Sequence, residues 1–155
     1  CYSYSKSLSM PGERIGYVCI PDTVTDSALL FAAVAGASRA CGHVCAPSLM
    51  QLVIARATAL RPDLAAYDQN RSLLYNALTE MGYDCVKPQG AFYMMVKAPN
   101  GDSRAFSELA KRENLLIVPA DTFGCPGFCR VSTCVDPDMI RRSLPAFKKV
   151  IGEIR

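Results

Sequence analysis

A helix-length run opening at Pro62-Asp63 and stopping at Gly82 is followed at once by a strand-length run, Gly90 to Lys97. That change of period commits the second half of the chain to mixing helices with strands. In the first run Leu64, Tyr67, Leu74, Leu78 and Met81 fall broadly on one helical face. The second is bounded by Pro88 and by the turn Pro99-Asn100-Gly101. A helix over Arg104 to Glu113 should follow, then strands over Leu115 to Val118 and Cys129 to Val135, joined by the Gly- and Pro-containing stretch Asp121 to Gly127. Asp136-Pro137 offers an N-cap and a first helical residue for a last helix, with Ile140, Leu144, Phe147 and Ile151 toward the core. Pro145 interrupts that pattern and should kink or divide the helix. Residues 61–155 therefore read as one α/β unit.

Residues 1–60 read differently, as the end of something larger. The β-rich run Arg14 to Ile20 stops at Pro21-Asp22 and predicts a strand, leaving Lys6 upstream in a polar loop. Thr25 to Ala40 and Ser48 to Leu60 are helical in content, separated by the Gly42 to Pro47 break. The longest stretch without Asp, Glu, Lys or Arg, Ala40 to Ala55, is short for a membrane span and holds Gly42 and Pro47. A formal net charge of +3, spread over seventeen basic and fourteen acidic residues, supplies no block for nucleic acid or a membrane surface. The eight cysteines sit in apolar or alternating runs such as Val18-Cys19-Ile20, so buried, reduced thiols in a cytoplasmic protein are expected. Cys41, His43 and Cys45, or Cys125, Cys129 and Cys134, lack the tight two-residue knuckles of structural zinc, and no metal site is expected. The chain opens at Cys1 without a leader pattern, which suggests a fragment or a processed product.

Chemistry concentrates near the start. Ser3, Ser5, Lys6, Ser7, Ser9 and Arg14 put hydroxyls, an amine and a guanidinium within fourteen residues. An ε-amine can condense with an aldehyde, while hydroxyls and a fixed guanidinium can hold a phosphate dianion by charge-assisted hydrogen bonds. By content alone the segment is a polar loop with a solvated lysine.

The order of its residues says more. Ser3-Tyr4-Ser5-Lys6, then Ser9, Met10, Gly12 and Arg14-Ile15-Gly16, resemble the pyridoxal-phosphate attachment motif of the class I and class II aminotransferases, in the aspartate aminotransferase superfamily. A second match follows in the right order. Gly90-Ala91-Phe92-Tyr93, Val118-Pro119-Ala120-Asp121-Thr122-Phe123-Gly124 and Gly127-Phe128-Cys129-Arg130-Val131-Ser132 resemble the strand, turn and arginine-bearing strand of that superfamily's small domain. Ala120 departs from the pattern, standing where relatives often have glycine.

The resemblance implies the C-terminal portion of a fold-type I enzyme. Residues 1–60 would be the remnant of its large pyridoxal-phosphate-binding domain and residues 61–155 its small C-terminal α/β domain. Lys6 would be the Schiff-base lysine and proton shuttle, Ser3, Ser5 and Arg14 would bind the cofactor phosphate, and Arg130 would bind the substrate α-carboxylate. Arginine suits that task because its planar fork pairs both carboxylate oxygens. His43 and Ser48 lie in a stretch that resembles the approach to the neighbouring subunit, which implies a homodimer in the complete protein. Tyr2 and Tyr4 could line the cofactor or simply pack, Met94-Met95 read as core, and Arg39 reads as a solvated charge.

The expected reaction moves an amino group between a small-molecule amino acid and a 2-oxo acid. Two alternatives stay open: a carbon–sulfur lyase, since those enzymes share the same two segments, and a non-catalytic cofactor-binding sensor domain of a transcription regulator. Because relatives draw other pocket residues from sequence before the lysine segment, the 155-residue chain alone is expected to be inactive and to self-associate through uncovered apolar surface.

Overall fold

The computed structural model describes residues 1–154 of the chain. It divides into two compact units, Cys1–Pro62 and Asp63–Arg155.

The first unit begins with strand β1 (Tyr2–Ser3), one helical turn α1 (Tyr4–Ser7) and strand β2 (Gly16–Tyr17), β1 and β2 pairing antiparallel. The strand expected over residues 14–20 is thus only two residues long, because β1 offers no more partner than that. Val18 and Cys19 are exposed rather than laid against a sheet. Lys6 lies in α1 and not in a loop.

Helices α2 (Ser27–Ala40) and α3 (Ser48–Ala57) follow, and α3 stops three residues short of the expected end. Although α2 is built almost wholly from small and apolar residues, none of them is buried, and Leu29 and Phe31 are 70% and 66% exposed.

The second unit carries a well-packed core. Helix α4 (Leu64–Glu80) is capped by Asp63, whose carboxylate accepts from the Ala66 amide at 3.0 Å. Leu74 and Leu78 are buried, whereas Leu64, expected on the same face, is exposed in the first turn. Strands β3 (Tyr93–Lys97), β4 (Val118–Pro119) and β5 (Phe128–Ser132) form an antiparallel sheet in the order β3-β5-β4. Helix α5 (Ser103–Arg112) starts on Asp102, which accepts from the amides of Arg104 and Ala105.

All three strands are shorter than the runs expected for them. Of the Leu115 to Val118 run only Val118 finds a partner on β5, together with Pro119 just beyond it. Leu115 and Ile117 are nevertheless buried and Leu116 exposed, as in an extended but unpaired segment. Helix α6 (Pro137–Ile154) is a single helix that Pro145 does not divide. Pro145 sits on the exposed side, where water can satisfy the carbonyl its missing N–H would have bonded.

The sheet's alternation decides which side chains reach which face. Met94 and Val96 of β3 and Cys129 and Val131 of β5 point into the core, against Leu74 and Leu78 of α4, Phe106 and Ala110 of α5, and Phe147, Val150 and Ile151 of α6. Met95, expected in the core with Met94, is on the other face and only half-buried. That face also carries Tyr93 and Arg130.

All eight cysteines are free, and burial was the wrong expectation for most of them: six are exposed, Cys85 is half-buried and only Cys129 is buried. The alternation around Cys19 mimics a strand that the chain does not form. Among the described residues no helix is long and apolar enough to cross a membrane.

Candidate functional site

The lysine segment is pinned at both ends. Tyr2 pairs with Tyr17 and Ser3 with Gly16, and the Tyr4 amide donates to the Ile15 carbonyl at 3.2 Å, with Ile15 itself buried. Glycine at position 16 is a steric necessity, since a β-carbon there would collide with the Tyr2 carbonyl oxygen. The rings of Tyr2, Tyr4 and Tyr17 cluster above this pairing, with centroids 5.2 Å apart for Tyr2 and Tyr4 and 5.3 Å for Tyr2 and Tyr17.

Inside this closure Ser3 acts as N-cap of α1. Its Oγ accepts from the Ser5 amide at 3.2 Å and donates to Ser5 Oγ at 3.0 Å. Lys6 follows, exposed, in the last turn of that short helix. Arg14 adopts a left-handed backbone, φ 52°, and its Nη1 donates to the Pro11 carbonyl at 2.9 Å, bracing the turn. Ser3 and Ser5 are thus joined directly, while Arg14's hydrogen bond runs back within its own turn.

Sequence reasoning assigned no role to Ser7. Its Oγ is buried without a hydrogen-bond partner, next to Lys6. A buried, unpaired hydroxyl next in sequence to a lysine, in a segment that also carries the joined Ser3 and Ser5 hydroxyls and Arg14, is a donor set suited to a phosphate ester. On that observation the segment fits pyridoxal phosphate.

In the second unit Arg130 lies on the sheet face opposite the helices. Its guanidinium carbon is 4.4 Å from the centroid of the Tyr93 ring and 4.1 Å from that of Phe123, so a ring packs against it from each side of β5, one from β3 and one from the turn after β4. Tyr93 comes from β3, where it pairs with Ser132 and so stands diagonally to Arg130. Phe123 comes from a 3-10 turn, Asp121–Phe123. Among the described residues no carboxylate forms an ion pair with Arg130, which leaves the fork's edge for another acid.

Ala120 explains its own departure from the glycine pattern. Its φ of −97° is open to any residue, and its methyl is fully buried. Its carbonyl accepts from the Phe123 and Cys125 amides, and its amide donates to Phe128 at 2.8 Å. Asp121 accepts a short hydrogen bond from Ser103 Oγ, which holds its carboxyl below the usual carboxylate range.

The remaining expected positions are simpler. His43 is held through its backbone, its carbonyl accepting from Ser38 Oγ at 2.8 Å, and Ser48 opens α3, exposed. Arg39 is exposed in the last turn of α2. No group of three or more His, Cys, Asp or Glu among the described residues could hold a metal ion.

Comparison with known proteins gives one answer. A family profile described as aminotransferase class I and II matches residues 1–147. The aspartate/prephenate aminotransferase of Thermus thermophilus is 31% identical over 96% of this chain and 39% of its own length. Aromatic-amino-acid aminotransferase 2 of Thermococcus litoralis is 28% identical over 97% of this chain and 40% of its own length. Among solved structures, an amino transferase from Eubacterium rectale is 60% identical with a TM-score of 0.84, covering 99% of this chain and 38% of that one. The chain spans about 40% of the length of the curated relatives it matches.

Proposed function

The chain belongs to the class I and II aminotransferase family, and from that premise we propose that it is the C-terminal part of a pyridoxal-phosphate-dependent aminotransferase. In this reading residues 1–60 end the large cofactor-binding domain and residues 61–155 form the small one. The complete protein transfers an amino group between an α-amino acid and a 2-oxo acid, as a cytoplasmic homodimer without nucleic-acid or membrane partners. The observation that carries the reading is the pinned segment from Ser3 to Gly16, which holds an amine, four serine hydroxyls and a guanidinium in one short closure.

Each residue then has a task. Ser3, Ser5 and Arg14 bind the phosphate ester, and the Gly16 pairing keeps them from drifting. Lys6 would hold the cofactor through its ε-amine and, once its amine is free, would take the substrate α-proton at Nζ and pass it on to a different atom from the one it left. Arg130, flanked by two aromatic rings, offers its Nη atoms to the α-carboxylate and so fixes the amino acid's orientation. When bound, pyridoxal phosphate supplies the carbonyl that receives the amino group and a ring that takes up electron density. Eight unpaired cysteines accord with a reducing compartment.

The 155-residue chain alone should be inactive, since it spans only about 40% of its relatives' length. The apolar side chains left open on α2 should make it self-associate, visible as a concentration-dependent rise in sedimentation coefficient.

The functional test uses the protein made from the complete reading frame. Lys6→Ala should lower turnover by at least about a hundredfold, and a new amino acid should appear only when a 2-oxo acid is added. Intact turnover in Lys6→Ala would refute the role of Lys6, and release of pyruvate, ammonia and sulfide from cysteine would mark a lyase instead.

A further inference from the structure

Arg130 is held by more than its own strand. Phe123 reaches it from a turn whose first residue, Asp121, is tied by the Ser103 hydroxyl to the first turn of α5. Ser103 is itself fixed: it is 2% exposed, and its carbonyl accepts from the buried Cys129 thiol at 3.2 Å, one residue before Arg130. From α5, therefore, one linkage runs through the Asp121 carboxylate to the Phe123 ring and another through Cys129 to the strand beneath. The two meet at the Arg130 guanidinium. Tyr93 closes the opposite side from β3.

We propose that Tyr93 and Phe123 form a two-sided aromatic clamp that aims the Arg130 fork at the substrate carboxylate, and that Asp121 and Ser103 are positioning residues that latch the clamp. The proposal rests on Arg130 being the carboxylate site. An arginine side chain free to rotate spreads its donors over many orientations, and a carboxylate needs both N–H groups in one plane. Rings packed against the guanidinium from both sides restrict that rotation and displace water beside it, which strengthens the pairing. The latch matters because Phe123 is half exposed and its turn is only three residues long, so core packing alone does not hold it.

The test is steady-state kinetics on the complete, cofactor-loaded protein. The substrate is whichever of L-aspartate, L-phenylalanine or L-alanine the wild type turns over fastest, compared with the matching amine that lacks the carboxylate. Phe123→Leu, which keeps bulk but removes the π face, should raise the amino-acid KM by about tenfold with kcat within about twofold. Asp121→Ala and Ser103→Ala should each raise it by about threefold. Phe123→Tyr should restore wild-type values, and kcat/KM for the amine should stay unchanged throughout.

Arg130→Ala is the reference and should abolish the preference for the amino acid over the amine. Should Arg130→Ala change KM while Phe123→Leu and the latch variants do not, the clamp is wrong although the carboxylate site stands. If Arg130→Ala also leaves KM unchanged, the site assignment fails and takes the clamp with it. Equal losses on amino acid and amine would show a general structural role and overturn the proposal as well.

Discussion

Asn70 on α4 ties the far end of the arginine-bearing strand to the helical layer, and replacing it should loosen that strand by a calculable amount. Its Nδ2 donates to the carbonyls of Thr133 and Val135, at 3.1 and 2.8 Å, just past the end of β5. The Thr133 bond is fully buried and the Val135 bond partly so. Each amide–carbonyl bond contributes about 1 kcal/mol net, and stranding a buried carbonyl costs about 1–3 kcal/mol. Oδ1 of Asn70 already lacks a partner, so its removal offsets a little of the loss. Asn70→Ala should therefore destabilise the second unit by about 3 kcal/mol. Asn70→Asp should do worse, because it turns a carboxylate oxygen toward two carbonyl oxygens. Amide hydrogen exchange along the β3–β5 ladder reads this directly, and Asn70→Ala should lower protection there by roughly a hundredfold. A change below about threefold would match an ordinary surface substitution and refute the reasoning.

Other consequences are local. Gly16→Ala must push the β1 and β2 backbones apart, so in the complete protein it should weaken pyridoxal-phosphate affinity by at least about tenfold while leaving ladder exchange in the second unit unchanged; absorbance titration with the cofactor checks the first part. Burial pushes the Cys85 and Cys129 thiols up to about 11, with smaller contributions from Asp84 and Asp121, so the folded state keeps protons that the unfolded chain gives up near pH 8.5. The stability these groups contribute is complete below about pH 8.5 and is lost as pH rises through about 11. Urea midpoints should fall over that window, less steeply in Cys129→Ala. Alkylation at pH 8 should label the exposed cysteines well before Cys129.

How far the fold could be read in the sequence varied with the kind of signal. Asp136 was legible as a cap because capping is a local event: its side-chain oxygen meets the Asp138 amide two residues on, whereas Asp63 and Asp102 cap their helices in the same way without having been read as caps. Strand alternation puts Met94 and Val131 toward the core and Arg130 on the face away from the helices, but reading Met94-Met95 together as core passed over that alternation. Strand length was not legible. Val18 to Ile20 have the composition of a strand, but pairing needs a partner, and β1 supplies only two residues. The same failure misled the reading of Cys19.

At the candidate site, the hydroxyl, amine and guanidinium string was visible in the order of residues. The collision that requires glycine at position 16 was not, because it depends on the Tyr2 carbonyl across the pairing. Nor could the stack on Arg130 be read: Tyr93 and Phe123 come from separate elements and meet only through sheet register and a turn. Ser103 gave no signal at all, being one serine at a helix start.

The central claim is that Lys6 carries the cofactor, and borohydride trapping of added pyridoxal phosphate followed by peptide mapping tests it most directly. In the protein from the complete reading frame the account predicts a single reduced adduct on Lys6, lost in Lys6→Ala. An adduct elsewhere, or none that is selective, would contradict it.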